Sequence, residues 1–230
     1  MKKRILCYGD SNTYGYVPAG NGRRYAEDVR WTGRLSSLLG KGYTVIEEGL
    51  PGRTADLCGE YPWKEGISYF KASLSTHRPI DMAVIMLGTN DTKRSFQRGA
   101  EGIAETVEII VRETKEFLEE KQNYAPKILL VCPAVLDEAV ITGPFGGDFD
   151  MRSVKVSREL AKPYQAIAEK YDCLFLDAAQ YAVVSTKDGV HLEGQGHKNL
   201  AEAVYSVISE WYAAHPDETD QSHMAMIENS

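Results

Sequence analysis

The sequence has 230 residues, a length that fits one α/β domain with a sizeable core. Its formal net charge of −7 and the lack of any Lys/Arg-rich run argue against a nucleic-acid-binding surface. The apolar stretch behind the basic N-terminus is too short for a signal peptide, and no apolar run approaches the ~18 residues of a membrane span. We therefore expect a cytoplasmic protein that contacts neither membrane nor nucleic acid.

Short apolar runs alternate with amphipathic segments along the chain. Near-continuous apolar strands are typical of a parallel sheet that helices cover on both faces, and strand–helix alternation indicates βαβ units. The sequence therefore predicts a three-layer α/β/α sandwich around a five-stranded parallel sheet. The predicted strands are Ile5–Tyr8, Tyr43–Ile46, Met82–Leu87, Ile128–Cys132 and Cys173–Leu176. The clearest predicted helices are Trp31–Leu39, Ile103–Leu118, Leu160–Tyr171 and Leu200–Tyr212.

Two internal stretches and the C-terminus are irregular. Glu48–Glu60 and Pro133–Asp150 are rich in glycine and proline. The second is long for a βα connection, and loops of that length are often functional. It could form a substrate-pocket rim or a subunit contact, and an ordinary surface insertion is the alternative. We place one catalytic domain over residues 1–213. The polar tail, 214–230, is predicted to be disordered or to pack in an oligomer.

Four cysteines are present, and their surroundings favour buried free thiols. There is no CxxC motif and no Cys/His spacing typical of a zinc site, so no metal site is expected. The cysteines are Cys7, Cys58, Cys132 and Cys173.

Polar residues follow the predicted strands at the edge where open α/β sheets bind ligands. Ser11 follows the first strand in GDSN, and Gly52 and Asn90 follow the second and third. After the fifth strand, the sequence DGVH places Asp188 three residues before His191. All four loops can converge on one end of the sheet.

A serine hydroxyl needs a base to become a nucleophile, and the base is usually a histidine oriented by a carboxylate. One turn of chain can return the Asp188 carboxylate to Nδ1 of His191, which leaves Nε2 free for Ser11. Taken alone, DGVH could be an ordinary turn before a helix, and Ser11 a helix N-cap. Backbone N–H groups of Ser11 and Gly52 and the side-chain amide of Asn90 are candidate donors to an oxyanion.

The four blocks resemble the SGNH-hydrolase (GDSL-like esterase) superfamily, whose Ser, Gly, Asn and His match Ser11, Gly52, Asn90 and His191 in family order. The runs RILCYGDSNTYGYVP, DVRWTGRL, VIEEGL and MLGTNDTK are further similar to the bacterial arylesterase and acyltransferase branch. The resemblance implies a flavodoxin-like sandwich and hydrolysis, or in some members transfer, of short acyl groups. It also implies a homo-oligomer and a small-molecule ester as partner.

The residue after the predicted nucleophile, Asn12, departs from the leucine that is common in the family motif, and we expect this change to alter packing or hydrogen bonding beside Ser11. We predict that Asn12, Tyr14 and Trp31 contact the substrate, and Tyr16 could join them, although Trp31 could equally anchor the first long helix in the core. Arg53 could meet an anionic substrate group, but a solvated arginine is the plainer expectation.

The predicted function is that of a serine esterase that acts through an acyl-enzyme on Ser11 and needs no metal or organic cofactor. Thioesterase, lysophospholipase and carbohydrate deacetylase activities use the same triad and stay open. The non-enzyme alternative is a nucleotide-binding doubly wound module, but neither GxGxxG nor GxxxxGK[ST] is present. Two acids of the site loops, Asp10 and Asp91, are expected to brace those loops.

Overall fold

A single parallel sheet runs through the computed structural model, which describes residues 2–56 and 61–216. Every neighbouring pair of strands is parallel. The strands are β1 Lys3–Gly9, β2 Tyr43–Gly49, β3 Met82–Met86, β4 Lys127–Cys132 and β5 Leu174–Asp177. They lie across the sheet in the order β2-β1-β3-β4-β5.

Helices cover both faces of this sheet. They are α1 Ser11–Tyr14, α2 Trp31–Leu39, α3 Gly66–His77, α4 Ala100–Gln122, α5 Met151–Glu159, α6 Ala161–Lys170 and α7 Gly194–Ala214. Apolar side chains of α2 and α7 pack on one face, and those of α3, α4 and α6 pack on the other.

The residues of β1 illustrate why the strands read as continuous apolar runs. Ile5 and Cys7 belong to the core beneath α2 and α7, whereas Leu6 and Tyr8 belong to the core on the opposite face. Successive side chains of a strand point to opposite faces, so a sheet covered on both sides needs apolar residues at every position. This is the physical reason that the strand pattern could be recognised from the sequence.

The predicted fold class is confirmed, and the predicted strands and helices coincide with observed elements to within a few residues, except that α7 begins at Gly194, well before the predicted Leu200. The apolar pattern does not predict α3 or α5. Helix α3 buries only Gly66, Phe70 and Leu74, and two of the four buried residues of α5 are serines. The predicted tail, 214–230, lies almost wholly outside the described residues, and α7 ends at Ala214.

Two cysteines, Cys7 and Cys132, are buried free thiols, as predicted, and Cys173 is partly buried. Burial raises the pKa of the thiols of Cys7 and Cys132 well above the ordinary value. Such thiols stay protonated and unreactive. Cys58 lies outside the described residues.

The strand order reverses at β1, because the chain passes to β2 on one side of β1 and then to β3 on the other. In open α/β sheets, the crevice at such a reversal, beyond the carboxyl ends of the strands, is the usual ligand site. The loops after β1, β2 and β3 border this crevice. Within the described ranges, no helix combines the length and the apolar content needed to cross a bilayer.

Asp91, in the loop after β3, ties two of these loops together. Its side chain is fully buried, and Oδ1 accepts a hydrogen bond of 2.8 Å from the N–H of Ala55. The predicted bracing role is therefore what the structure shows. Burial raises the pKa of Asp91 to about 7, and the nearby Asp56 acts in the same direction.

The raised pKa of Asp91 makes the free energy of unfolding depend on pH. An unfolded aspartate has a pKa of about 3.9, so between pH ~4 and ~7 the folded protein keeps a proton that the unfolded chain loses. Stability should therefore fall as pH rises through this window. Asparagine does not titrate, so Asp91→Asn should lack this pH dependence. We therefore expect the free energy of unfolding of the variant, relative to that of the wild type, to increase from pH 4 to pH 8.

Denaturant unfolding at several pH values measures this difference. Asp28→Asn serves as a control, because Asp28 is exposed. A stability difference for Asp91→Asn that does not change with pH would contradict the assignment.

Candidate active site

Ser11 lies at a sharp turn between β1 and α1. It is the first residue of α1, and the Asp10 carboxylate caps that helix by accepting a hydrogen bond of 2.9 Å from the N–H of Asn12. A Cβ on Gly9 would lie 2.2 Å from Oγ1 of Thr13. Only glycine fits there, so the GDS sequence is what allows the chain to turn this tightly.

Asp188 holds the second part of the site in a compact turn. Its Oδ1 accepts hydrogen bonds of 3.0 Å from the N–H groups of Val190 and His191. Its Oδ2 accepts one of 2.8 Å from Nδ1 of His191 and one of 2.9 Å from the N–H of Ala19. Gly189 has a φ of +72°, and a Cβ there would lie 2.2 Å from the backbone nitrogen of Val140. Glycine is therefore required between the acid and the histidine.

The two parts meet through a hydrogen bond of 2.9 Å between Nε2 of His191 and Oγ of Ser11. The side chains of Ser11, His191 and Asp188 are all buried. The structure thus brings together the three residues that the sequence predicts as nucleophile, base and orienting acid, across a separation of 180 residues between Ser11 and His191.

The ionised state of Asp188 determines which nitrogen of His191 carries a proton. Burial by itself raises the pKa of Asp188, but the hydrogen bonds from the His191 ring and from backbone N–H groups outweigh it and lower the pKa to about 2. An ionised carboxylate can only accept hydrogen bonds, so Nδ1 of His191 carries the proton that it donates to Asp188. In the neutral ring, Nε2 then has a free lone pair that can accept the Ser11 hydroxyl.

Two aromatic rings fix the plane of the imidazole. Tyr16 stacks on His191 with 4.3 Å between ring centroids, and Phe145 meets the His191 ring at its edge at 5.3 Å. Tyr16 belongs to the residues that the sequence suggests for the pocket. Phe145 was not predicted individually, although it and Phe149 are the two aromatic residues of the Gly-rich loop at 133–150.

The predicted oxyanion donors border the same cleft as Ser11 and His191. The amide Nδ2 of Asn90 donates one hydrogen bond of 3.0 Å to the backbone oxygen of Arg53. An amide nitrogen carries two hydrogens, so the second is available to the cleft. Gly52 has a φ of +81°, and Ser11 is a first-turn residue whose N–H has no acceptor within its helix.

The cleft has a volume of about 200 Å³, below the ~300–1,000 Å³ that is common for pockets of drug-sized ligands. Phe145, Asp148 and Phe149, all from the loop at 133–150, form part of its wall. The loop therefore lines this cleft, and a subunit contact stays a prediction. The other charged residues that line the cleft, Lys64 and Lys93, carry no recognisable sequence signal.

Three residues predicted to contact the substrate do not line the cleft. Trp31, the first residue of α2, is 1% exposed and packs in the core between α2, α7 and the sheet, so its alternative role as a core anchor is the correct one. Tyr14 points its ring at the guanidinium of Arg24, 4.5 Å away. Asn12 is buried, and both ends of its side-chain amide are used by the backbone around His191.

The side-chain amide of Asn12 hydrogen-bonds to the backbone on both sides of His191. Its Nδ2 donates a hydrogen bond of 3.1 Å to the backbone oxygen of Val190, and its Oδ1 accepts one of 3.0 Å from the N–H of Leu192. Val190 and Leu192 flank His191 in the chain. Asn12, directly after Ser11, therefore fixes the backbone on both sides of His191. The structure shows the expected change in hydrogen bonding beside Ser11, but sequence spacing could not identify its partners.

Arg53 also departs from both sequence-based expectations. It is 7% exposed rather than solvated. Its Nη1 donates to the backbone oxygens of Gly9, at 2.9 Å, and of Glu48, and its guanidinium lies 4.1 Å from the Tyr8 ring centroid. The side chain therefore joins the ends of β1 and β2 beneath the cleft.

The other described histidines have structural contacts. Nε2 of His77 lies 2.7 Å from Oε1 of Glu48, and His215 stacks on Trp211. His197 accepts a hydrogen bond of 3.3 Å from the N–H of Trp31, and burial, with the nearby His191 and Arg34, lowers its pKa to about 4. His223 lies outside the described residues. Over residues 2–56 and 61–216, no group of three or more acidic, histidine or cysteine side chains is placed to hold a metal ion.

We expect Asn12→Leu to reduce kcat by about 10- to 100-fold with little change in KM for a small ester. The substitution leaves the buried Val190 carbonyl and Leu192 N–H without partners, at ~1–3 kcal/mol each, and loosens His191 rather than the substrate. Steady-state kinetics with p-nitrophenyl acetate separates the two parameters.

Tyr14→Phe is the matched control, because the Tyr14 ring lies outside the cleft and should leave both parameters unchanged. A rise in KM alone for Asn12→Leu would restore the substrate-contact role that was predicted from sequence.

Comparison with known proteins agrees with this geometry. Residues 7–199 match the model of the GDSL-like lipase/acylhydrolase family. Among solved structures, the chain is similar to the aryl esterase of M. smegmatis, with 35% identity and a TM-score of 0.84 over 90% of this chain and 99% of that one. It is also similar to a carbohydrate acetylesterase of Sinorhizobium meliloti, with 33% identity and a TM-score of 0.82 over 91% and 100% of the two chains.

A curated relative is the acetylxylan esterase of Xylanibacter ruminicola, which is 26% identical over 231 residues. The match covers 89% of this chain but only 43% of that protein. The chain therefore spans less than half the length of this relative.

Proposed function

This chain belongs to the GDSL-like lipase/acylhydrolase family, whose SGNH-type esterases include its structural neighbours, and from that premise we propose that it is a serine esterase for short acyl groups. The observation that carries the proposal is the unbroken chain of hydrogen bonds from Ser11 through His191 to Asp188. No metal and no organic cofactor takes part in the proposed reaction.

The proposed reaction has two steps. Oγ of Ser11 attacks the ester carbonyl carbon while Nε2 of His191 takes the hydroxyl proton, and the carbonyl oxygen becomes an oxyanion. His191 then gives the proton to the departing alcohol, which leaves an acyl group on Ser11. Water attacks this acyl-enzyme with His191 again as base, and release of the acid restores Ser11. An alcohol in place of water gives acyl transfer.

Each remaining group has a part in lowering the barrier. Asp188 keeps His191 in the correct tautomer and stabilises its charged form. The N–H groups of Ser11 and Gly52 and the amide of Asn90 hold the oxyanion, and one such donor is typically worth ~2.7–4 kcal/mol. The small cleft between Phe145 and Phe149 favours short acyl groups over the long chains of a lysophospholipase substrate.

We expect Ser11→Ala to lower kcat/KM for p-nitrophenyl acetate by roughly 10³-fold or more, since the nucleophile is removed. The wild type should prefer p-nitrophenyl acetate to p-nitrophenyl octanoate, because the cleft is small. Release of p-nitrophenol measures both effects.

Ser206→Ala, which removes an exposed hydroxyl in α7, should leave the rate unchanged. Mass spectrometry after treatment with an organophosphate should find the label on Ser11. Full activity of Ser11→Ala, or labelling at another residue, would assign the chemistry elsewhere.

Carbohydrate deacetylation is the second candidate function, and exposed aromatic residues beside the cleft favour it. Tyr61 and Trp63 are 45% and 53% exposed, and the Tyr61 ring lies 4.6 Å from Nζ of the cleft residue Lys64. Aromatic rings at a cleft can cover the apolar face of a sugar. Two of the similar proteins described above are esterases of acetylated carbohydrates by name.

If sugars bind there, Trp63→Ala should raise KM for acetylated xylo-oligosaccharides about five-fold or more while leaving p-nitrophenyl acetate kinetics unchanged. Acetate release measures the first and p-nitrophenol release the second. Equal effects on the two substrates would contradict a sugar-binding role for Trp63.

Thioesters are cleaved by the same chemistry, and nothing in the cleft favours them. Assembly into a homo-oligomer and a cytoplasmic location stay predictions.

A further inference from the structure

The charged side chains that line the cleft do not follow the overall charge of the protein. The chain as a whole has a formal net charge of −7. Among the described residues, the charged side chains that line the cleft are those of two lysines, Lys64 and Lys93, and of one exposed acid, Asp148. A neutral acetyl ester needs no ammonium group at this place, so the lysines call for a separate explanation.

Lys93 is already paired. Its Nζ lies 3.0 Å from Oδ2 of Asp148, and the next residue, Arg94, donates its N–H to the backbone oxygen of Asp148 at 2.9 Å. This ion pair balances one of the two positive charges. Among the described residues that line the cleft, none forms an ion pair with the second ammonium, that of Lys64.

Lys64 reaches the part of the cleft where the reaction is proposed to occur. Its Nζ lies 3.1 Å from the position that a Cβ would take on Gly52, and its Cδ lies 3.2 Å from the same point. The ammonium therefore lies over Gly52, whose N–H is a proposed oxyanion donor. A side chain at residue 52 would displace it.

The backbone and a ring hold Lys64 in place. Its N–H donates a hydrogen bond of 2.9 Å to the oxygen of Tyr61, and its own carbonyl accepts one of 3.1 Å from the N–H of Thr54. The Tyr61 ring supports the ammonium from one side. Partial burial lowers the pKa of Lys64, and the ammonium of Lys93 acts in the same direction while Asp148 opposes it. Both lysines line the same cleft of about 200 Å³, so an anion bound in that cleft would be attracted by both ammonium groups.

We propose that Lys64 and Lys93 form a subsite for a carboxylate carried by the ester substrate. The inference rests on the proposed esterase function of Ser11 and adds the substrate class, namely esters with an acidic group close to the scissile bond. The carboxylate binds between the two ammonium groups, and Asp148 keeps Lys93 in position while no substrate is bound.

Matched ester pairs test the subsite on each side of the scissile bond. For the alcohol side, para-acetoxybenzoate is compared with its neutral methyl ester; for the acyl side, the p-nitrophenyl monoester of adipate is compared with its methyl ester. The readout is the ratio of kcat/KM for the anionic ester to that for its neutral partner. Intrinsic differences in ester reactivity cancel when this ratio is compared between variants.

We expect Lys64→Gln to lower this ratio by about five-fold or more for at least one pair, the size that a partly screened charge pair can supply. Lys64→Arg should retain most of the preference, and added salt should weaken it in the wild type. Lys121→Gln is the matched control. It removes the same charge from the last turn of α4, which leads to the amino-terminal end of β4, away from the cleft. It should leave the ratio unchanged.

The outcomes separate the subsite from the esterase function. Hydrolysis that persists in Ser11→Ala would remove the proposed function itself. Hydrolysis that depends on Ser11, with an unchanged ratio in Lys64→Gln for both pairs, would overturn the subsite alone. An equal loss on anionic and neutral esters would also overturn it, and would indicate that Lys64 acts on the oxyanion instead.

Discussion

The carboxylate of Asp188 is the group on which the rest of the site depends. It is fully buried and accepts four hydrogen bonds, three from backbone N–H groups and one from the ring of His191. A buried charge is tolerable only when it is satisfied in this way. The bonds also set the direction of the imidazole and attach the loop around Ala19 to the turn at 188–191. One anion therefore fixes the base, its tautomer and part of the surrounding backbone.

The remainder of the site is assembled by loops that follow different strands of one sheet. The reversal of strand order at β1 places the loops of Ser11 and Asn90 beside each other. Asn12 links the first loop to His191, Arg53 joins the ends of β1 and β2, and Asp91 links the loops after β2 and β3. These buried polar bonds keep the reactive groups within hydrogen-bond distance before any substrate arrives, which is the preorganisation that catalysis requires.

The charges near Ser11 are arranged in layers. The carboxylate of Asp188 forms the inner layer, and the lysines of the cleft form an outer one on a protein that is acidic overall. Positive charge close to the scissile bond favours anionic substrates and stabilises negative charge that develops during the reaction. The first effect would raise the rate for anionic substrates relative to neutral ones, whereas the second would raise the rate for all substrates. Tyr16, Phe145 and Phe149 form the aromatic part of the cleft wall.

The sequence by itself determined the layers of the fold and predicted Ser11, His191 and Asp188, the three residues that the structure joins by hydrogen bonds. Strands that are buried on both faces must be apolar throughout, and a Ser–His–Asp site needs glycine at turns such as Gly9 and Gly189, so both leave local signals. The tertiary structure alone decided what Asn12, Trp31 and Lys64 contact. The direction of a side chain depends on which distant segments pack around it: Asn12 meets residues some 180 positions away, and Lys64 reaches the cleft only because its turn folds back over Gly52. Such long-range packing leaves no periodic mark in the chain.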